Sequence, residues 1–193
     1  LETKITVYRY RNQKGDMMRL ANQIRSTIIV LLSLTLITVM SVNPISTALA
    51  QEIISQQVSN NFNREVQCLA ENIYYESGNE SYEGKLAVAQ VTINRVNSGK
   101  FSSSICGVVN QKDTINGSIV CQFSWVCSSL KGMIRNKYQW EESQLVAKRA
   151  LTSNVAHDLV YQQNALYYHA NYVNPGWKLT RVGQIGNHIF YRK

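Results

Sequence analysis

At 193 residues the chain has room for one hydrophobic core plus a leader, since a single core serves on the order of 100–150 residues. Two prolines and 17% charged residues exclude a long disordered chain. The net charge of +8 is divided evenly: residues 1–50 carry six Lys/Arg against two acids, residues 51–193 fourteen against ten, and no basic stripe with interleaved aromatics points to a nucleic-acid partner.

In chain order, the first feature is a leader. Residues 26–51 hold no charge, residues 27–42 are strongly apolar, Arg19 and Arg25 precede them, and Ala48-Leu49-Ala50 follows. A basic stretch, an apolar run and an A-x-A site predict a secretory signal peptide cleaved after Ala50, with Met17 or Met18 as the start. An uncleaved membrane anchor is the competing reading, but the apolar run falls short of the ~20 residues a spanning helix needs. The expected location is therefore extracytoplasmic, with membrane contact only through the leader.

Residues 51–64 are rich in Gln, Asn and Ser and read as a polar linker. The domain expected at 65–193 opens with a helix, because Val66, Leu69, Ala70, Ile73 and Tyr74 recur at three- and four-residue steps and Gly78-Asn79 stops them. A second helix, capped by Asn79 or Ser81, runs to Gly99 and is apolar nearly all round, which predicts a central, buried helix. Residues 101–130 read as irregular structure, and residues 141–152 as a third helix. Residues 165–169 and 188–191 have strand composition, separated by the Asn174-Pro175-Gly176 turn. The expected class is α+β, a helix-dominated single domain with a short C-terminal β element.

All four cysteines follow the predicted cleavage site, so disulfides are the default in an oxidising compartment. Three pairings exist. Cys121–Cys127, which closes a short loop, and Cys68–Cys106, which ties a helix to a later segment, are the expected pair. With no C-x-x-C motif and no His cluster, neither a metal nor a cofactor is expected.

Glu71, Glu76, Glu80 and Glu83 form an acidic cluster. Glu76 falls seven residues after Leu69 and three after Ile73, at the end of the apolar helix face. Partial desolvation there raises a carboxyl's pKa and keeps it protonated, as a general acid requires. Glu71 turns away from the stripe, and Glu80 and Glu83 sit where a helix N-terminus favours carboxylates anyway. A second cluster, Cys121-Gln122-Phe123-Ser124-Trp125, joined by Tyr167, Tyr168, His169 and Trp177, combines aromatic rings with amide and hydroxyl groups, the chemistry of sugar recognition. Its competing reading is a set of core aromatics.

The chain resembles the SleB-type cell-wall hydrolases, a family that includes spore cortex-lytic enzymes. The matching stretches run from Cys68-Leu69-Ala70-Glu71-Asn72-Ile73-Tyr74-Tyr75-Glu76 through Glu83-Gly84, Ala87-Val88-Ala89-Gln90-Val91 and Asn94-Arg95-Val96. They continue with Cys106-Gly107-Val108-Val109, Cys121-Gln122-Phe123-Ser124-Trp125, Tyr168-His169-Ala170 and Ile185-Gly186-Asn187-His188-Ile189-Phe190-Tyr191. A monomer is expected, and the resemblance implies a lysozyme-like fold that acts on peptidoglycan as a lytic transglycosylase, between N-acetylmuramic acid and N-acetylglucosamine. It implies Glu76 as the acid and base and Glu80 as a secondary carboxylate that orients Glu76 or a water. Where the family commonly has Glu-Ala-Arg-Gly-Glu, this chain has Glu76-Ser77-Gly78-Asn79-Glu80; the glutamates keep their spacing while Gly78-Asn79 replaces Arg-Gly.

Overall fold

The computed structural model describes residues 17, 19, 20, 22–32, 44–152 and 164–193. The apolar run of the predicted leader lies partly outside them, at residues 33–43. Two compact units are present, residues 1–57 and 58–193. In the first, the described residues are helical, with exposed side chains at 22–32 and 46–57. Among the described residues no helix is long and apolar enough to cross a membrane.

Helix α1 is Pro44–Ser77. It includes residues 51–63, so the expected linker is instead helical. Nothing in that stretch breaks a helix, since Pro and Gly are absent and Gln and Glu are good helix formers. Ile53, Ile54 and Val58 are exposed there, so that stretch shows no single apolar face.

In the second unit α1 meets the core only at its last turns, where Leu69, Ala70 and Ile73 are wholly buried. Helix α2, Tyr82–Asn97, starts at Ser81, whose side chain accepts from the Gly84 amide. Helix α2 lies between two apolar clusters. One gathers Leu69, Ile73, Leu86, Val108, Trp125 and Val146, and the other Ala87, Val91, Ala165 and Phe190. That double contact is why its apolar residues encircle it.

Residues 101–130, expected to be irregular, contain the short helix α3 (Ile105–Val109) and a hairpin of β1 (Lys112–Ile115) and β2 (Ser118–Cys121). Asn116 and Gly117 at the hairpin tip both have positive φ, 50° and 79°, the geometry an Asn-Gly hairpin turn demands. A 3-10 turn, Ser124–Cys127, follows. Helix α4 is Lys137–Thr152, one turn longer than expected.

The C-terminal sheet has three strands in the order β3 (Tyr167–Ala170), β5 (His188–Arg192), β4 (Thr180–Ile185), all antiparallel. Strand β4 was not expected. Residues 174–176 lie in the irregular segment between β3 and β4, where the Asn174 side chain accepts from the Gly176 amide. The fold is α+β and helix-dominated, with a small C-terminal sheet. Both expected disulfides, Cys68–Cys106 and Cys121–Cys127, are formed.

Candidate active site

Glu76 occupies the last turn of α1, on the face that buries Leu69 and Ile73. Its neighbours in the helix are held firmly. Asn72, fully buried, donates to Thr92 Oγ1 at 3.1 Å and accepts from Trp125 Nε1 at 3.2 Å. The Tyr75 ring stacks on Trp125, and its hydroxyl donates to the Leu130 carbonyl. The Tyr74 hydroxyl accepts from the amides of Arg135 and Asn136. These contacts fix the rotation of the helix end, and so the direction in which Glu76 points.

Across from Glu76 stands Tyr168 of β3, whose hydroxyl donates to Glu76 Oε2 at 2.9 Å. Burial raises the Glu76 carboxyl above its ordinary value, and the Tyr168 bond and the positive charge of Arg95 oppose the rise in part. The Tyr168 hydroxyl is itself held well above its usual range, by burial first and then by the Glu76 charge, and so stays a donor. A carboxyl so placed can carry a proton at higher pH than a solvated one and deliver it within a water-poor site.

Arg95 carries no local sequence pattern that marks it as a site residue. It lies on α2, 4% exposed, with Nε donating to the Leu166 carbonyl at 2.8 Å and its guanidinium against the rings of Phe101 and Phe123. Burial lowers its pKa, while Tyr168, Tyr167 and Glu76 work in the other direction. A buried cation close enough to act on Glu76 stabilises the carboxylate that remains once the proton has left.

Glu80 is engaged with Asn187. Its Oε1 and Oε2 accept from the Asn187 side chain at 3.0 Å and the Asn187 backbone amide at 3.1 Å. The carboxylate thus fastens the β4–β5 turn to the start of α2. The turn that replaces the family's Arg-Gly is tied separately: the Glu80 amide donates to the Ser77 carbonyl, and the Asn79 side chain accepts from Gln139 at 2.6 Å. Glu71 accepts from Gln67 one turn earlier, and Glu83 is exposed in the first turn of α2.

The expected sugar-binding residues divide. Tyr168 is at Glu76. Trp125 belongs to the core, only 6% exposed, because its ring is needed against Tyr75 and Asn72. Gln122 is half-buried and Ser124 exposed on the segment flanking that ring. His169 follows Tyr168 in a strand, so it faces the other way; it stacks on Tyr191 and bonds the Tyr191 hydroxyl at 3.0 Å, away from Glu76. His188, whose ring lies edge-on to Tyr168, has its pKa lowered by burial and by His169, against the pull of Glu80.

Residues 79–191 match the cell wall hydrolase family. The chain belongs to that family. The match begins three residues beyond Glu76 and includes Glu80, Arg95, Tyr168 and Asn187. Among curated relatives, the chain is 30% identical over 129 residues to the spore cortex-lytic enzyme of Oceanobacillus iheyensis, covering 65% of this chain and 41% of that one. It is 37% identical over 60 residues to the spore cortex-lytic enzyme of Bacillus subtilis, 31% of this chain and 20% of that one. The chain thus spans about two fifths and one fifth of the length of these relatives. Its fold is similar to the catalytic domain of the germination-specific lytic transglycosylase SleB from Bacillus anthracis, with a TM-score of 0.50 and 25% identity, covering 66% of this chain and 93% of that one.

Proposed function

We propose that this cell wall hydrolase cuts the glycan strands of peptidoglycan between N-acetylmuramic acid and N-acetylglucosamine, as a lytic transglycosylase with Glu76 as its acid and base. The observation that carries the reading is the Glu76 carboxyl itself, raised by burial and bonded by Tyr168. Glu76 gives its proton to the glycosidic oxygen, the C1–O bond breaks, and the electron pair leaves with the N-acetylglucosamine. The carboxylate, eased by Arg95, then takes the proton of the muramic acid C6 hydroxyl as that oxygen closes on C1. The product is a 1,6-anhydro ring, Glu76 ends protonated as it began, and no water is consumed.

One carboxyl suffices for this cycle, whereas an ordinary glycosidase uses two. The engagement of Glu80 with Asn187 favours the single-carboxyl route. All four cysteines are paired, which speaks against a thiol nucleophile acting on the stem peptide. Gln122 and Ser124, beside the ring that supports the Glu76 helix end, are the polar groups proposed to meet the sugars. Two disulfides suit an oxidising, extracytoplasmic compartment, which the predicted leader would reach.

Mass spectrometry of fragments released from purified sacculi tests the reading. Anhydro-muropeptides from the wild type and none from Glu76→Gln are expected. Reducing-end muropeptides would make the enzyme a hydrolase that adds water, cleaved stem peptides would move it to another bond, and an absence of fragments would leave a silent wall-binding module.

A further inference from the structure

The C-terminal sheet has a second face that the chemistry at Glu76 does not use. Side chains alternate along a strand, so Tyr168, His188 and Phe190 turn inward, with Tyr168 and Phe190 packing at the clusters around α2. Their neighbours turn outward in two rows. Tyr167 of β3 pairs with Tyr191 of β5, and Tyr191 with Arg181 of β4; His169 pairs with Ile189, and Ile189 with Gln184. One edge of this face is aromatic and the other is polar.

Trp177, 43% exposed, sets its ring edge-on against Tyr167, His169 and Tyr191, at 6.1, 5.4 and 5.9 Å between centroids. His169 is stacked on Tyr191 and bonded to its hydroxyl. Arg181 donates to Gln184 Oε1 at 3.2 Å. The rings therefore hold one arrangement before any ligand arrives, so little side-chain entropy is lost on binding. Rings with amide and guanidinium groups at their rim are what a pyranose needs: CH faces stack on the rings and hydroxyls bond the polar edge.

Charge narrows the ligand further. Residues 164–193 contain Lys178, Arg181, Arg192 and Lys193 and no Asp or Glu, whereas residues 51–163 hold ten basic and ten acidic side chains. The whole positive excess after residue 50 thus falls on the segment that builds this sheet, and all four side chains are exposed. A neutral sugar gives no reason for that concentration; a glycan bearing carboxylates does.

We propose that the outer face of the C-terminal sheet, formed by Tyr167, His169, Tyr191 and Trp177 beside Arg181 and Gln184, is a second binding surface for a carboxylate-bearing peptidoglycan strand. The choice of peptidoglycan rests on the function proposed above. The surface faces away from Glu76, so it holds a neighbouring stretch of wall rather than the bond being cut, and it keeps the enzyme on an insoluble substrate between cleavages.

The test uses the full chain carrying Glu76→Gln, so that binding is read without cleavage, and measures co-sedimentation with purified sacculi stripped of phosphate polymers. Adding Trp177→Ala should weaken retention at least fivefold. Adding Arg181→Glu should weaken it similarly and flatten its decline between about 50 and 500 mM NaCl, because exposed charge pairs are screened by salt. Tyr138→Ala, which removes a still more exposed ring from α4, should leave retention unchanged. Thermal melting checks the fold; should Trp177→Ala fail to fold, Arg181→Glu stands alone, since its side chain is exposed.

Unchanged retention in both sheet variants overturns the proposal. So does an outer face whose loss abolishes binding of a single-stranded oligonucleotide, or a concentration-dependent dimer, while retention on sacculi persists. If the chain without Glu76→Gln fails to cleave sacculi, the proposed reaction falls but the retention measurement still decides this surface.

Discussion

Tyr168 and Glu76, 92 positions apart in sequence, meet through a 2.9 Å hydrogen bond from the phenol to carboxylate Oε2. The bond stabilises the charged carboxyl and so lowers its pKa, against the larger effect of burial. Tyr168→Phe removes it and leaves the ring's packing in place. The Glu76 pKa should rise further, and the alkaline limb of the pH–rate profile should move to higher pH. Loss of a bond to a charged group costs about 1.5–3 kcal/mol, so the rate at the optimum should fall about tenfold or more. A profile with an unmoved alkaline limb would separate Tyr168 from the proton on Glu76.

Glu76→Gln should cut cleavage sharply at any pH, and it should stabilise the fold only above a certain pH. Because the folded pKa lies above the ordinary 4.5, the unfolded chain releases this proton more readily, and stability is lost as pH rises through the raised value. Glutamine does not ionise. The variant should therefore melt at a higher temperature than wild type near pH 7, and at about the same temperature near pH 4, where both carboxyl states are protonated. Activity should drop by about 10²- to 10⁴-fold, the usual contribution of general acid catalysis. A melting difference that does not change with pH would show that ionisation of Glu76 has no part in it.

The site's legibility followed the range over which each signal acts. Glu76 could be placed from the helix period, because its distance from Leu69 and Ile73 fixes the face it shares. The two strands flanking the site are also legible, and alternation along a strand sets Tyr168 and His169 on opposite faces although they are adjacent in sequence. Asn116-Gly117 is a strong hairpin signal, but it sits in a stretch whose Ser, Gly and Cys composition reads as irregular. Strand β4 has too few apolar residues and a register irregularity between Arg181 and Gly183, so its composition does not announce it. Arg95 and Asn187 owe their importance to partners about 19 and 107 residues away, and no local pattern encodes such meetings.

The disulfides should contribute unequally. Cys68 and Cys106 lie 38 residues apart and Cys121 and Cys127 only six. In the chain-entropy account a cross-link stabilises by restricting the unfolded state, which gives about 4 kcal/mol for the longer loop and about 2 kcal/mol for the shorter. Urea denaturation of the paired variants Cys68→Ala/Cys106→Ala and Cys121→Ala/Cys127→Ala compares them directly. The first pair should show the larger drop in midpoint; the reverse order would assign the shorter bridge a role beyond loop closure.

The Glu80–Asn187 contact predicts a graded series at the β4–β5 turn. Asn187→Ala removes the side-chain bond but keeps the backbone amide bond, and the contact is exposed, so the loss should be about 1 kcal/mol. Gly186→Ala should cost more. Gly186 has a φ of +54°, and a β-carbon there would run into the Glu80 carboxylate, adding backbone strain to a displaced clamp. Since β5 carries His188 and Phe190 and pairs with the strand that holds Tyr168, a displaced turn should also loosen the Tyr168 hydroxyl from Glu76. Gly186→Ala should then lower kcat with little change in KM, whereas Asn187→Ala should lower stability with kcat nearly intact. Equal melting temperatures for the two variants would mean that the turn tolerates a side chain and that Glu80 yields to it without cost.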